Sequence, residues 1–429
     1  MYRSTGFPVY QLYLQGSLHS PMLKWQPGVQ TGRYLMRFVL LVILVRLVRD
    51  TSIRMMYPFL NDYAQGLGIT LATMGLLLML RTSLVALAPL FGHRADRIGP
   101  KPLLMVGFGL QGAGLLGMGF ASGVWTAAAA ILVLGVSDAI TYPLMQAYIS
   151  EQSPQRHLGR ALITVEYSWA ITGIVILPII GWLIGEMGWQ TPFRLLSVFS
   201  GASVLMLALL LPPSHPNPKQ QKGTFWKQIG VMARDRSALG SVLVSATIFI
   251  AAEAYFVTWG AHLARDFALS PERIGQVAAG LGVIELAGSV LASLIIDPLG
   301  KRRGVIAGVI FFMGSLIALM WLSQSLWTTL LGMGLVSLAI EYSIVSTIPL
   351  MAQQRPANRA TVLALGAMAG AFTRSLTDPA AAWLLEHWGF LAAMAYSFLA
   401  LVVALGLLWR WVQERATPEG TKSLSQASL

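Results

Sequence analysis

The chain contains no cysteine, which excludes disulfides, thiolate metal ligands and thiol chemistry together. Charge is scarce as well. Only 11% of the 429 residues are Asp, Glu, Lys or Arg, where a soluble domain carries about 25%, so a soluble globular fold is excluded. No Gly-rich loop ending in Lys-Ser or Lys-Thr occurs, so there is no Walker cradle to make ATP the direct energy source. His93, His157, His215, His262 and His387 fall in loops or at run ends without metal-ligand spacing, and neither a metal nor a cofactor is expected. Residues 1–32 lack the continuous apolar core and small-residue cleavage site of a signal peptide and read as a cytoplasmic tail.

What the chain has is apolar length. Hydrophobic residues make up 55% of it, gathered into runs long enough to cross ~30 Å of hydrocarbon, about 20 residues each. Twelve such runs are expected, at 34–60, 71–91, 102–121, 125–148, 161–185, 192–211, 239–263, 274–296, 304–322, 326–351, 361–385 and 390–411. The longest polar connector, rich in Pro, Lys and Gln, separates six runs from six. The expected organisation is a tail at 1–32, a six-helix bundle at 33–211, a linker at 212–237, a second six-helix bundle at 238–411 and a tail at 412–429.

The basic residues then orient the bundle. With a cytoplasmic N-terminus, Arg94, Arg97, Lys101, Arg156, Arg160, Lys301, Arg302, Arg303, Arg355, Arg359 and the linker lysines all fall on one side, against Arg265 and Arg273 in the opposite loops. Lys/Arg bias in short loops sets topology, so both termini are expected inside. The formal charge of +12 then lies beside anionic lipid headgroups, and nucleic acid is not needed to explain it.

The two halves repeat. Asp96, Gly99 and Lys101 recur as Asp297, Gly300 and Arg302, and Pro178, Trp182 and Gly188 recur as Pro379, Trp383 and Gly389, every one 201 positions later. Duplicated six-helix halves with a solute site between them are a transporter architecture. The segment Gly92-His-Arg-Ala-Asp96-Arg97-Ile-Gly99-Pro-Lys101 resembles the loop between helices 2 and 3 of major facilitator superfamily transporters, usually Gly-x-x-x-Asp-Arg-x-Gly-Arg-Lys, with Pro100 in place of the first trailing basic residue. The resemblance covers essentially the whole chain and implies an all-α membrane fold of two pseudo-symmetric six-helix bundles. It also implies that the cluster Gly92, Asp96, Arg97, Gly99, Lys101, Asp297, Gly300 and Arg302 forms a cytoplasmic gate that latches the halves when the protein is open outward. Physically, a Gly at each end permits a tight turn, while Arg97 and Lys101 can pair with acids or phospholipid. Gly173, Pro178 and Gly181 resemble a degenerate form of the antiporter motif of helix 5, and Pro178 is expected to bend that helix. Helix 4 has no Arg ahead of its Gly and carries Asp138 instead, a departure from the superfamily's usual proton-coupled pattern.

Twelve ionisable side chains lie inside the apolar runs: Arg46, Arg49, Asp50, Arg54, Arg81, Asp138, Glu166, Glu253, Glu285, Glu341, Arg374 and Asp378. Facing lipid, together they would cost on the order of 30 kcal/mol. They are therefore expected to face one another, the bundle interior or water, and to form a substrate and proton pathway. Arg46, Asp50 and Arg54 are spaced by four, so Asp50 is expected to be shared by those two guanidiniums, with Tyr57 extending the stripe. Arg81 and Asp138 are possible mates, and Arg374 and Asp378 repeat the spacing of four. Glu285, then Glu253 and Glu341, are the expected proton carriers. The reading is a secondary transporter, not an enzyme, that exports a small polar or amphiphilic solute against protons, as a monomer in contact with lipid in a bacterial inner membrane. Proton symport, facilitated uniport of an organic anion, and a membrane sensor on the same scaffold are the rivals.

Overall fold

The computed structural model describes residues 32–152, 167–214, 230, 235–355 and 359–414. Among them every regular element is helical. In chain order the spans are Gly32–Arg54 (span 1), Leu71–Ser83 continuing through a 3-10 turn at Leu84–Leu87 into Ala88–Ile98 (span 2), Pro100–Gly119 (span 3) and Val124–Gln152 (span 4). Span 5 holds a π-type turn at Thr172–Ile176 followed by Leu177–Met187, and span 6 is Thr191–Leu209. The second half consists of Arg236–Asp266, Pro271–Leu299, Lys301–Leu322, Leu326–Gln354, Arg359–Trp388 and Phe390–Arg410 (spans 7 to 12). By length and composition, ten helices among the described residues can cross a membrane. Spans 1 and 11, 23 and 30 residues long, complete twelve; they carry the buried charges that lower their apolar character. The tail 1–31, most of the linker and Glu166 lie outside the described residues.

Two expected boundaries move, for local reasons. Span 1 stops at Arg54 rather than at residue 60, and the chain turns through 55–59, where Pro58 has no N–H to continue a helix. Tyr57 therefore leaves the charged stripe and sits in the turn. A short helix, Leu60–Leu67, follows. Span 2 runs past residue 91 to Ile98, so Gly92 lies within helix and does not help form a turn. The turn is made by Gly99 alone, with φ 84°, a left-handed conformation in which a Cβ is strained.

The duplication is visible in the backbone. Gly99 and Gly300 have φ 84° and 89°, and Gly188 and Gly389 have φ 86° and 80°; each pair is separated by the 201-residue repeat. Lys101 N donates to Ser214 Oγ at 3.0 Å, and in the second half Lys301 N donates to Glu414 Oε1 at 2.7 Å. Each half thus ties the start of its third helix to the chain beyond its sixth.

The halves meet unevenly. Residues 71–83 of span 2 pack on span 11, the later part of span 5 packs on span 8, and the short helix packs on span 7. By contrast, the 88–98 part of span 2 packs on spans 3 and 4 of its own half. The bundle is therefore closed at the end away from the basic loops and parts toward them. The closure is backbone against backbone: a Cβ on Gly75 would lie 2.7 Å from the carbonyl oxygen of Asp378. The largest apolar cluster includes this closed end, where Phe59, Leu60 and Tyr63 are fully buried.

Candidate functional site

A cavity of about 260 Å³ lies between the halves, lined by residues of both. Its charged lining is Arg54, Glu253, Glu285, Glu341 and Arg374, and its aromatic lining is Tyr57, Trp169, Phe249, Tyr255, Phe256 and Trp259. A second hollow, about 500 Å³, opens between spans 2 and 11 on an apolar flank of Leu76, Pro379 and Trp383; it presents no ionisable side chain.

Arg54, at the last turn of span 1, crosses to the other half. Its Nη2 donates to Glu285 Oε2 of span 8 at 2.5 Å, and its Nη1 donates to the carbonyl of Trp169 at 2.9 Å. The guanidinium also lies over the Trp169 ring, 4.9 Å from its centre, a cation–π contact. Gly173 makes room for it, because a Cβ there would stand 2.7 Å from Arg54 Cζ. The sequence expectation that Asp50 is shared by Arg46 and Arg54 is therefore corrected. Asp50 accepts from Arg46 Nε at 3.1 Å and from the adjacent Arg49 Nη1 at 2.9 Å, while Arg54, one helical turn further, reaches span 8 instead.

Arg374 and Asp378, four apart on span 11, each bond to other helices. Arg374 Nε donates to Glu253 Oε2 at 2.6 Å, and its Nη2 donates to Tyr57 Oη at 2.9 Å. Asp378 is fully buried and accepts from Thr82 Oγ1 of span 2 at 3.1 Å; its Oδ1 finds no partner among the described residues. The contacts with Tyr57 and Thr82 cross between the halves, whereas the Arg374–Glu253 ion pair joins spans 11 and 7 of the same half. Glu341 is bound by Ser289 Oγ at 2.6 Å and has no guanidinium or ammonium in an ion pair with it among the described residues.

The remaining charges belong to the first half. Ser168 donates to Asp50, and the Arg49 guanidinium lies 4.8 Å from the centre of the Tyr142 ring. Arg81 Nε meets Asp138 Oδ2 at 2.7 Å, and its other nitrogens donate to the carbonyl and hydroxyl of Ser52 at 2.6 and 2.8 Å. This ion pair is buried and fully bonded, lies outside the cavity lining, and joins spans 1, 2 and 4. Sequence reasoning missed Ser52, Ser168, Thr82 and Ser289, since single hydroxyls in apolar helices carry no signal of their own. It also missed Phe249 and Phe256, which read as packing.

Among the described residues no hydrogen bond or ion pair ties the basic-loop motif across the halves. Arg97 and Asp297 are exposed, and the Asp96 side chain lies outside the described residues. Lys101, expected on acids or lipid, instead has Nζ 2.6 Å from the carbonyl oxygen of Leu211 and 3.3 Å from that of Ala208. Its counterpart Arg302 donates to the carbonyl of Leu408 at 3.0 Å. The last carbonyls of a helix lack intrahelical donors and carry the negative end of its dipole, so a nearby cation settles on them. In span 5, the π-type turn immediately precedes Pro178. A Cβ on Gly275 of span 8 would lie 2.9 Å from the carbonyl oxygen of Leu177, so this irregular segment packs backbone to backbone against the other half near Gly181.

A sequence profile described as Major Facilitator Superfamily matches residues 42–261 and again 241–427. The chain is 26% identical over 232 residues to an uncharacterized MFS-type transporter, YceJ, of Bacillus subtilis; the match covers 52% of this chain and 57% of that one, just over half of its length. It is 23% identical over 271 residues to a multi-drug resistance efflux pump PmrA homolog of Lactococcus lactis, covering 61% of this chain and 66% of the relative. Among solved structures, a D-xylose-proton symporter superposes with TM-score 0.74 at 16% identity over 89% of this chain and 98% of that one.

Proposed function

The chain belongs to the major facilitator superfamily, and from that premise we propose that it moves a small organic solute across a bacterial plasma membrane by alternating access, exporting it in exchange for protons. It is an integral membrane protein of the secondary-transporter kind. In this reading the basic loops and both termini face the cytoplasm, so a bundle closed at the far end and parted toward the basic loops is open inward. The functional unit is a monomer whose basic face meets lipid headgroups.

The observation that carries the reading is the Arg54–Glu285 ion pair, which spans both halves at the wall of the cavity. A proton on Glu285 removes the charge that holds Arg54, so the state of one carboxylate bears on how the halves hold together. Glu253 holds Arg374 within the second half, and Arg374 in turn donates to Tyr57 of the first. Export is favoured over uptake by the likeness to an efflux pump homolog. Proton symport is the second reading, favoured by the degenerate form in which span 5 carries the antiporter motif.

The test is transport in proteoliposomes under an imposed pH gradient of either direction. Expected is solute movement that follows the gradient and is uncoupled from it by Glu285→Gln. Movement indifferent to the gradient and unchanged by that substitution rejects proton coupling.

A further inference from the structure

The cavity contains three carboxylates and two guanidiniums, and each guanidinium is already occupied. Arg54 is held by Glu285, by a backbone carbonyl and by the face of Trp169. Arg374 is held by Glu253 and Tyr57. Glu341, also in the lining, has only the hydroxyl of Ser289 as a hydrogen-bond partner among the described residues. The other first-half cations of the charged set, Arg46, Arg49 and Arg81, lie outside the cavity lining, on Asp50 and Asp138. The cavity therefore presents one carboxylate more than it has cations to match it.

The remainder of the wall is aromatic. Phe249, Phe256 and Trp259 face the same space, and no side-chain cation is recorded over their rings among the described residues. Aromatic faces attract cations and offer apolar area without hydrogen-bonding demands. A solute anion would have to displace Glu285 or Glu253 from its guanidinium, leaving a buried carboxylate uncompensated. A solute cation displaces nothing.

Resting on the transporter reading above, we infer that the solute is an amphiphilic organic cation, with its charge at Glu341 and its apolar body against Phe249, Phe256 and Trp259. Glu341 is then the residue that selects the sign of the solute's charge. Ser289 is a positioning residue that fixes one of the two carboxylate oxygens.

Binding to the purified full chain in detergent tests this. The probes are radiolabelled tetraphenylphosphonium, with benzyltrimethylammonium and ethidium as competitors, and tetraphenylborate as an anion of the same shape. Expected are saturable tetraphenylphosphonium binding, competition by the other cations and, in a separate measurement without the phosphonium, no saturable binding of the borate. Glu341→Gln should weaken cation binding by about tenfold or more, as loss of a buried charge partner does, and Glu341→Asp should restore most of it. The proposal is overturned if the borate binds as tightly as the phosphonium, if no cation of the set binds saturably, or if Glu341→Gln binds cations unchanged. Should Glu341→Gln fail to fold, the cation-against-anion comparison on the unsubstituted chain decides alone. Counterflow in proteoliposomes separates the two levels: exchange of an anionic or neutral solute without cation binding removes the substrate class and leaves the transporter. Absence of counterflow by cationic, anionic and neutral solutes alike removes both.

Discussion

Arg54 and Glu285, 231 residues apart in sequence, form an ion pair across the boundary between the two halves. Both side chains are about nine-tenths buried, with relative exposures of 9% and 11%. Removing one partner of such a pair strands the other charge and costs about 3–5 kcal/mol. Arg54→Ala is expected to lower the melting temperature in detergent markedly. Adding Glu285→Ala to it should recover part of the loss, because the stranded carboxylate goes too. A double substitution no more stable than Arg54→Ala would show that the two do not interact.

The Arg81–Asp138 pair makes a contrasting prediction. It is buried within one half, bonded also to Ser52, and away from the cavity. Asp138→Asn should lower stability by about 3 kcal/mol, whereas the protein that remains folded should keep its pH dependence of transport. A selective change in proton coupling at unaltered melting temperature would contradict this assignment.

The absence of native cysteine allows the closed end to be tested directly. A Cβ built on Gly75 lies 2.9 Å from Ala382 Cβ, close enough for a disulfide after the helices give by about 1 Å. Gly75→Cys with Ala382→Cys should crosslink under mild oxidation and stop transport, and reductant should restore it. Gly75→Cys alone, whose Cβ must push back the Asp378 carbonyl oxygen and Pro379 Cα, should transport more slowly, but neither single substitution should respond to oxidant or reductant. Crosslinked protein that transports at the full rate would argue that this end never opens.

Asp62, in the short helix beyond span 1, provides a pH signature. Burial pushes its carboxyl from 3.8 up to about 6, and its Oδ2 has no partner among the described residues. Below about pH 4 the group is protonated in both folded and unfolded chains and costs nothing. As pH rises from about 4 to 6, the unfolded chain releases this proton before the folded one does, so stability falls through that window and stays lower above it. The deficit is about 3 kcal/mol at neutral pH. Asp62→Asn should raise the melting temperature at pH 7.5 but not at pH 4, read from parallel thermal melts.

Much of this fold was legible because bilayer physics is uncompromising about length and charge. Spans of apolar residues, a 201-residue repeat and charges that must turn inward follow from single residues read against their neighbours. Pair identity was less accessible. Spacing by four placed Arg46 correctly on Asp50 but misassigned Arg54, whose partner Glu285 comes from the other half, while Arg374 pairs with Glu253 on another helix of its own half. Local periodicity is blind to such contacts. Pro58 was present to end span 1, yet the apolar residues around it masked the break. The cavity's charge balance depends on which arginines face it, and only the packing of the two bundles decides that.

The matched left-handed glycines at 99 and 300, and at 188 and 389, carry a consequence for descent. Two copies of one ancestral unit still bend at the same joints, while the ionisable groups between those joints have diverged, one copy becoming rich in arginine and the other in acid. The joints are common inheritance; chemical individuality was acquired in the stretches between them.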